Sequence, residues 1–177
     1  MRVIINIDGG SRGNPGPGAS AYVIKNTDGK ILAQEGYFIP HCTNNQAEYT
    51  ALRLALIKAG ELHATELEII SDSLLLVKQY LGEYKIKNAD LAARMAEIRQ
   101  LAKPFQIQIR HVLRHLNKEP DALANKAMDL KQSVGFNPIE NLNPVVPDMV
   151  VNGVEVKPVT RSNKKSNKNA AQPSLFD

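Results

Sequence analysis

Asp8-Gly9-Gly10-Ser11-Arg12-Gly13-Asn14-Pro15-Gly16-Pro17-Gly18 follows at once on the apolar residues Val3, Ile4, Ile5 and Ile7. A nearly unbroken apolar run is the mark of a strand covered on both faces, so this first strand is expected at the centre of its sheet. Where such a strand ends in a carboxylate and passes into residues without side chains, a charge is lifted out of the core and bare backbone lies beside it. That combination suits a large anionic ligand. Two familiar phosphate loops are excluded: Gly13, Gly16 and Gly18 read G-x-x-G-x-G rather than G-x-G-x-x-G, and G-x-x-x-x-G-K-[ST] occurs nowhere. Taken alone, the stretch is equally an ordinary Gly/Pro connection between strands.

Outward from it, residues 19–25 read as a second strand, Thr27-Asp28-Gly29-Lys30 as a tight turn and 31–39 as a third strand, which together make an antiparallel meander. From Ala47 the period changes: Ala51, Leu52, Ala55, Leu56 and Ala59 have helical spacing, with Gly60 as the stop. Residues 66–70 form a short strand that, reached through a crossover helix, should lie parallel to the first. Helices are expected over 74–81 and over 90–101, the latter stopped by Pro104, then a fifth strand over 106–112. A last helix over 117–130 turns Leu123, Ala124, Ala127 and Met128 inward. The expected fold is α/β: a five-stranded mixed sheet, three antiparallel strands then two parallel, flanked by helices over residues 1–131.

From residue 132 to 177 the composition shifts to Pro, Asn, Ser, Lys and Val and reads as a largely flexible tail. Within it, Asn152-Gly153 between β-branched residues could close a hairpin over 148–156, although a lone hairpin is marginal in water. The whole chain has 177 residues, 43% of them hydrophobic, enough for one full core. Its formal net charge of +4 permits a polyanionic partner without demanding one. The single cysteine, Cys42, forms neither an intrachain disulfide nor a thiolate zinc site, and no apolar segment is long enough to span a bilayer. A soluble, cytoplasmic protein with no membrane partner is expected.

Four acids stand out. Asp8 and Asp72 each follow a predicted strand, and parallel neighbours would bring both to one end of the sheet, where open α/β sheets hold their ligands. Glu48 and Asp121 each fall in the first turn of a helix. Singly, each also fits a helix-start role: Asn45-x-x-Glu48 is close to a capping box, Asp72 could be an N-cap, and Asp121 after Pro120 complements a helix dipole. Those roles do not explain why all four should gather at one rim. Gathered carboxylates repel, and divalent cations relieve the conflict; oxygen ligands without His or Cys favour Mg²⁺ or Mn²⁺. Two such ions about 4 Å apart can activate a water and stabilise the leaving oxygen of an in-line phosphodiester attack. Thr43, Asn44, Asn45 and Gln46, just before Glu48, add neutral donors and acceptors suited to phosphate, sugar and base contacts, or else simply start a helix.

In order along the chain, Asp8-Gly-Gly-Ser-x-Gly-Asn-Pro-Gly, Thr43-Asn-Asn-Gln-Ala-Glu48, Ser71-Asp72-Ser73 and Asn117-Lys-Glu-Pro-Asp121-Ala-Leu-Ala resemble the signature of type 1 ribonuclease H. The resemblance covers roughly residues 1–131. It implies a ribonuclease H-like fold and an endoribonuclease that cuts the RNA strand of RNA/DNA hybrids with two metal ions, leaving 5′-phosphate and 3′-hydroxyl ends. By the same resemblance Asp8 bridges both ions, Asp121 completes the nucleophile-side site, and Glu48 and Asp72 hold the other. Gly10, Ser11 and Asn14, with Asn44 and Asn45, would line the RNA strand, Thr43 and Asn88 would take a phosphate of the DNA strand, and Gln46 is a further nucleic-acid-binding candidate.

Two departures from the family pattern matter. Only Arg114-His115-Leu116 separates the fifth strand from Asn117 where many members carry a loop histidine that aids product departure; His115 or Arg114 could substitute, or His115 is an ordinary surface histidine, and the role is unassigned. Leu81 to Asn88 is short and the chain has no Trp, where many members insert a basic, Trp-bearing handle; weaker hybrid affinity is expected. The tail is basic over 161–168 and ends in Gln172-Pro173-Ser174-Leu175-Phe176, similar to the Gln-x-x-Leu-Phe peptide that docks on the bacterial DNA sliding clamp, with Gln172, Leu175 and Phe176 as the contacts. The protein is otherwise expected to be a monomer. The competing functions are a catalytically silent hybrid-binding or clamp-associated adaptor on the same fold, which has no need of four repelling acids, and a strand-transfer or exonuclease relative.

Overall fold

The computed structural model describes residues 1–136. The basic stretch 161–168, the hairpin expected over 148–156 and the peptide Gln172 to Phe176 lie outside the described residues.

Among the described residues six strands form one mixed sheet: β1 (Arg2–Ser11), β2 (Gly16–Lys25), β3 (Ile31–Cys42), β4 (Glu66–Ser71), β5 (Gln106–His111) and β6 (Val134–Phe136). Their spatial order is β5-β4-β1-β2-β3-β6. β1 is antiparallel to β2 and parallel to β4, so the apolar run that opens the chain is central, with Val3, Ile5 and Ile7 fully buried. The helices are α1 (Asn44–Glu61), α2 (Leu74–Tyr80), α3 (Ala89–Ala102) and α4 (Lys118–Leu130).

Strand alternation sends side chains to two different cores. Val3, Ile5 and Ile7 of β1 and Tyr22 and Ile24 of β2 pack with Leu52 and Leu56 of α1 and Met95 and Ile98 of α3. The opposite parity of β2, Ala19 and Ala21, packs with Ala124, Ala127 and Met128 of α4. That second core is built from small residues because α4 lies close on the sheet: a Cβ at Gly36 of β3 would sit 2.4 Å from the Leu123 carbonyl oxygen.

Two features differ from the expectation. The glycine stretch is not a loop as a whole: β1 continues through Gly9, Gly10 and Ser11, paired with Ser20, Ala19 and Gly18, and only residues 12–15 turn. Second, the sheet has a sixth strand. After α4, Lys131 adopts the left-handed conformation (φ 49°), Ser133 Oγ accepts the Phe38 amide at 3.1 Å, and β6 pairs antiparallel with β3. β6 thereby satisfies part of an edge that β3 would otherwise leave open.

Candidate active site

The register of the sheet brings the first two acids together. Ile7 of β1 is paired with Ser71 of β4 in parallel, so Asp8 and Asp72 are the next residues along adjacent strands. Glu48 arrives by a different route. Thr43 caps α1 and forms a reciprocal box with Gln46: its hydroxyl accepts the Gln46 amide at 3.2 Å, while Gln46 Oε1 accepts the Thr43 amide at 2.9 Å. The first turn is then pressed against β1 at Gly9, where an added Cβ would lie 2.4 Å from the Ala47 carbonyl carbon and 2.5 Å from the Glu48 nitrogen. Ser20 Oγ donates to the Ala47 carbonyl at 2.6 Å and fixes the same turn to β2. Asp121 comes from the first turn of α4, which is tied back to β1 by Asn117: its Nδ2 donates to the Ile7 carbonyl at 2.8 Å and its Oδ1 accepts from Asn6 at 3.0 Å.

The result is a cleft of about 430 Å³ lined by all four acids. One carboxylate oxygen from each of Asp8, Glu48 and Asp72 lies within 4.8 Å of the others. Burial, then the charges of Asp72 and Asp121, raise the Asp8 carboxyl from its ordinary 3.8 to about 7. Burial, then Asp8 and Asp72, push Glu48 well above the usual range, with the Gly9 amide pulling weakly the other way. Glu48 Oε2 is buried and has no hydrogen-bond partner among the described residues. An unpartnered buried oxygen beside two further carboxylates, with no His or Cys in the set, fits a hard divalent cation; without one, protons must fill the deficit.

None of the helix-start readings accounts fully for an acid. The capping box is Thr43–Gln46, not Asn45–Glu48, and α2 is capped by Ser73, whose hydroxyl accepts the Leu76 amide at 3.2 Å, not by Asp72. Asp121 does stand in the first turn of α4, but it also accepts from Arg114 at 3.2 Å.

The polar residues divide into two groups. Gly10, Ser11 and Asn44 line the cleft with the acids; Asn44 Oδ1 accepts from the Ser11 amide at 2.8 Å and hydroxyl at 3.1 Å, and Asn14 Oδ1 accepts the Asn44 amide at 3.1 Å. Thr43, Asn45, Gln46 and Asn88 are not in the cleft wall. Gln46 reaches Asp90 at 3.1 Å and so joins the start of α1 to the start of α3, which Asn88 caps by accepting the Leu91 amide at 3.0 Å. This leaves the Asn88 NH₂ as its remaining donor. Arg114 lines the acid cleft, whereas His115 lines a smaller one with Asn6, Leu116 and Asn117. Three residues escaped the sequence reading: Arg12 and Asn125, which also line the acid cleft, and Asn6. Arg12 stood in the opening stretch, but its partners lie more than a hundred residues away, beyond the reach of any local pattern.

A mixed sheet of this order with carboxylates gathered at the ends of its two central parallel strands defines the ribonuclease H-like class. The family described as reverse transcriptase-like matches residues 6–127. A ribonuclease HI of Halobacterium salinarum is 43% identical over 129 residues, covering 72% of this chain and 65% of that protein. The N-terminal RNase H domain of rv2228c from Mycobacterium tuberculosis, solved as a fusion with maltose binding protein, superposes with a TM-score of 0.71 at 41% identity, covering 73% of this chain and 95% of that one. LC11-RNase H1, solved in complex with an RNA/DNA hybrid, gives a TM-score of 0.70 at 35% identity, covering 73% and 98%. The chain belongs to the reverse transcriptase-like family and to the type 1 ribonucleases H. It spans 65% of the length of the Halobacterium protein and 36% of the full-length mycobacterial one.

Proposed function

We propose that the protein hydrolyses the RNA strand of RNA/DNA hybrids endonucleolytically, leaving 5′-phosphate and 3′-hydroxyl ends. The observation that carries this reading is the meeting of Asp8, Glu48 and Asp72 within 4.8 Å, with a buried Glu48 oxygen that nothing else satisfies. Asp8, central among the acids, would be shared by two Mg²⁺ or Mn²⁺ ions, with Asp121 completing one site and Glu48 and Asp72 the other. Bound there, the cations would activate a water for in-line attack and neutralise the charge developing on the leaving oxygen. The relative crystallised with an RNA/DNA hybrid supports the same substrate here.

The chain's own residues supply position and selection. Ser11 and Asn44, held to each other across the mouth of the cleft, fix polar groups where the RNA strand must pass, and a 2′-hydroxyl is the feature that such groups can use to tell RNA from DNA. Gly10 brings backbone to the same wall, Asn14 is bonded to the Asn44 amide beside it, and Asn45, the next residue of α1, would contact the same strand. The Thr43, Gln46 and Asn88 group, at two linked helix starts, would hold a phosphate of the other strand, since helix N-termini present unpaired N–H groups to anions. Arg114, on Asp121, is the better placed of the two candidates to assist product departure.

A labelled RNA/DNA duplex, with RNA/RNA and DNA/DNA controls, incubated with and without Mg²⁺ or Mn²⁺, tests the reading. Only the RNA of the hybrid should be cut, only with metal, and not by Asp8→Asn. Cutting of DNA/DNA, or binding without cleavage, favours the strand-transfer or the silent-adaptor alternative. Monomeric state and cytoplasmic residence belong to the same proposal; among the described residues no helix is long and apolar enough to cross a membrane. Docking of Gln172, Leu175 and Phe176 on a sliding clamp is proposed from the peptide alone, and loss of clamp pull-down on deleting 172–176 is its check.

A further inference from the structure

We infer that Arg12 is a phosphate clamp for the strand lying in the acid cleft, held ready by Asp129 until that strand arrives; the inference rests on the proposed hybrid substrate. An anionic backbone approaching four carboxylates is repelled unless cations stand nearby, and among the described residues the cleft wall offers Arg12 and Arg114. Arg114 sits on Asp121, itself one of the four acids, whereas the partner of Arg12 lies outside the acid set. Arg12 meets the same helix further along, where the turn after β1 reaches Asn125 and Asp129 of α4.

Its backbone is fixed: the Arg12 amide donates to the Pro17 carbonyl at 2.7 Å, and its neighbour Ser11 is bonded to Asn44. Its guanidinium is parked on α4, with Nη2 2.5 Å from Asp129 Oδ1 and 3.4 Å from the Asn125 carbonyl. The parking is weak. The Arg12 side chain is 48% exposed and that of Asp129 62%, and ion pairs in such settings contribute little to stability. A phosphate offers the same planar fork two oxygens in a charge-assisted, bidentate geometry, so a strand phosphate can take the place of Asp129.

The competing reading is a latch that merely ties the 12–15 turn to α4. The two readings part on the sign of one variant. In steady-state cleavage of an RNA/DNA hybrid by the full chain over a series of KCl concentrations, Arg12→Gln should raise KM about tenfold and reduce the slope of log KM against log salt by about one. Asp129→Asn, which frees Arg12, should instead lower KM about threefold at low salt, and the double variant should match Arg12→Gln. If both single variants raise KM, or if Arg12→Gln leaves KM and slope at wild-type values, the clamp is refuted. A wild-type chain that cuts no hybrid refutes the substrate assignment itself; a wild type that cuts, with a KM indifferent to Arg12, refutes the clamp alone.

Discussion

Replacing Asp8 by Asn should stabilise the metal-free protein at neutral pH while removing its activity. The Asp8 carboxyl titrates near 7 in the fold against an ordinary 3.8, because it is buried beside Asp72 and Asp121. Between those two values the folded chain holds a proton that the unfolded chain has released, so stability falls as pH rises and the full penalty is reached above about pH 7. A difference of about three pH units at 1.36 kcal/mol each bounds the penalty at about 4 kcal/mol. Asn keeps the shape and carries no charge, so the variant should gain about 2–4 kcal/mol at pH 8 and almost nothing at pH 4. Urea titrations of both proteins in EDTA from pH 4 to 8 measure this directly. Saturating Mg²⁺ should then stabilise the wild type and leave the variant nearly unmoved, because a ligand stabilises only the state that binds it. A wild type whose EDTA stability is flat from pH 5 to 8 and equal to that of Asp8→Asn would mean that the acids are not crowded, and the argument for shared cations would go with it.

Gly9→Ala should cost about 1–3 kcal/mol and weaken Mn²⁺ binding, since the new methyl meets the Ala47 carbonyl carbon at 2.4 Å and must push the Glu48 turn outward; a melt paired with a metal titration checks both. Asn117→Ala should cost about 2–4 kcal/mol, because it strands the Ile7 carbonyl and the Asn6 amide, and should slow cleavage beyond that by loosening α4 and Asp121; denaturation and single-turnover rates separate the two effects. Arg114→Ala should lower the steady-state rate about tenfold and leave the single-turnover rate intact, whereas His115→Ala should leave both rates unchanged, as rapid-quench assays would reveal.

Much of this architecture was legible because the determinants are local. The unbroken run Val3 to Ile7 announced a central strand, and the switch to helical spacing after Ala47 placed the crossover that makes β4 parallel to β1. That parallel pairing is what sets Asp8 beside Asp72. Glycine misled the reading at Gly9 and Gly10, which look like turn residues and in fact continue β1; Gly9 is there because α1 needs the space, a demand made by a residue nearly forty positions away. The Thr43–Gln46 box was missed in favour of Asn45–Glu48 because both spacings match the pattern and only the helix start distinguishes them. β6, with three residues and a glycine in its middle, carries too little periodicity to be seen, and it exists by pairing with β3. The Arg12–Asp129 and Asn6–Asn117 contacts are wholly tertiary.

The account depends on distant carboxylates acting as one cation-binding unit at the point of cleavage. Calorimetric titration of Mn²⁺ into the full chain bound to a hybrid made uncleavable by 2′-deoxy substitution at the cut site measures that unit without turnover. The prediction is two ions per chain for the wild type, none at the site for Asp8→Asn and one for Asp121→Asn. Equal Mn²⁺ stoichiometry and affinity in the wild type and Asp8→Asn would contradict it.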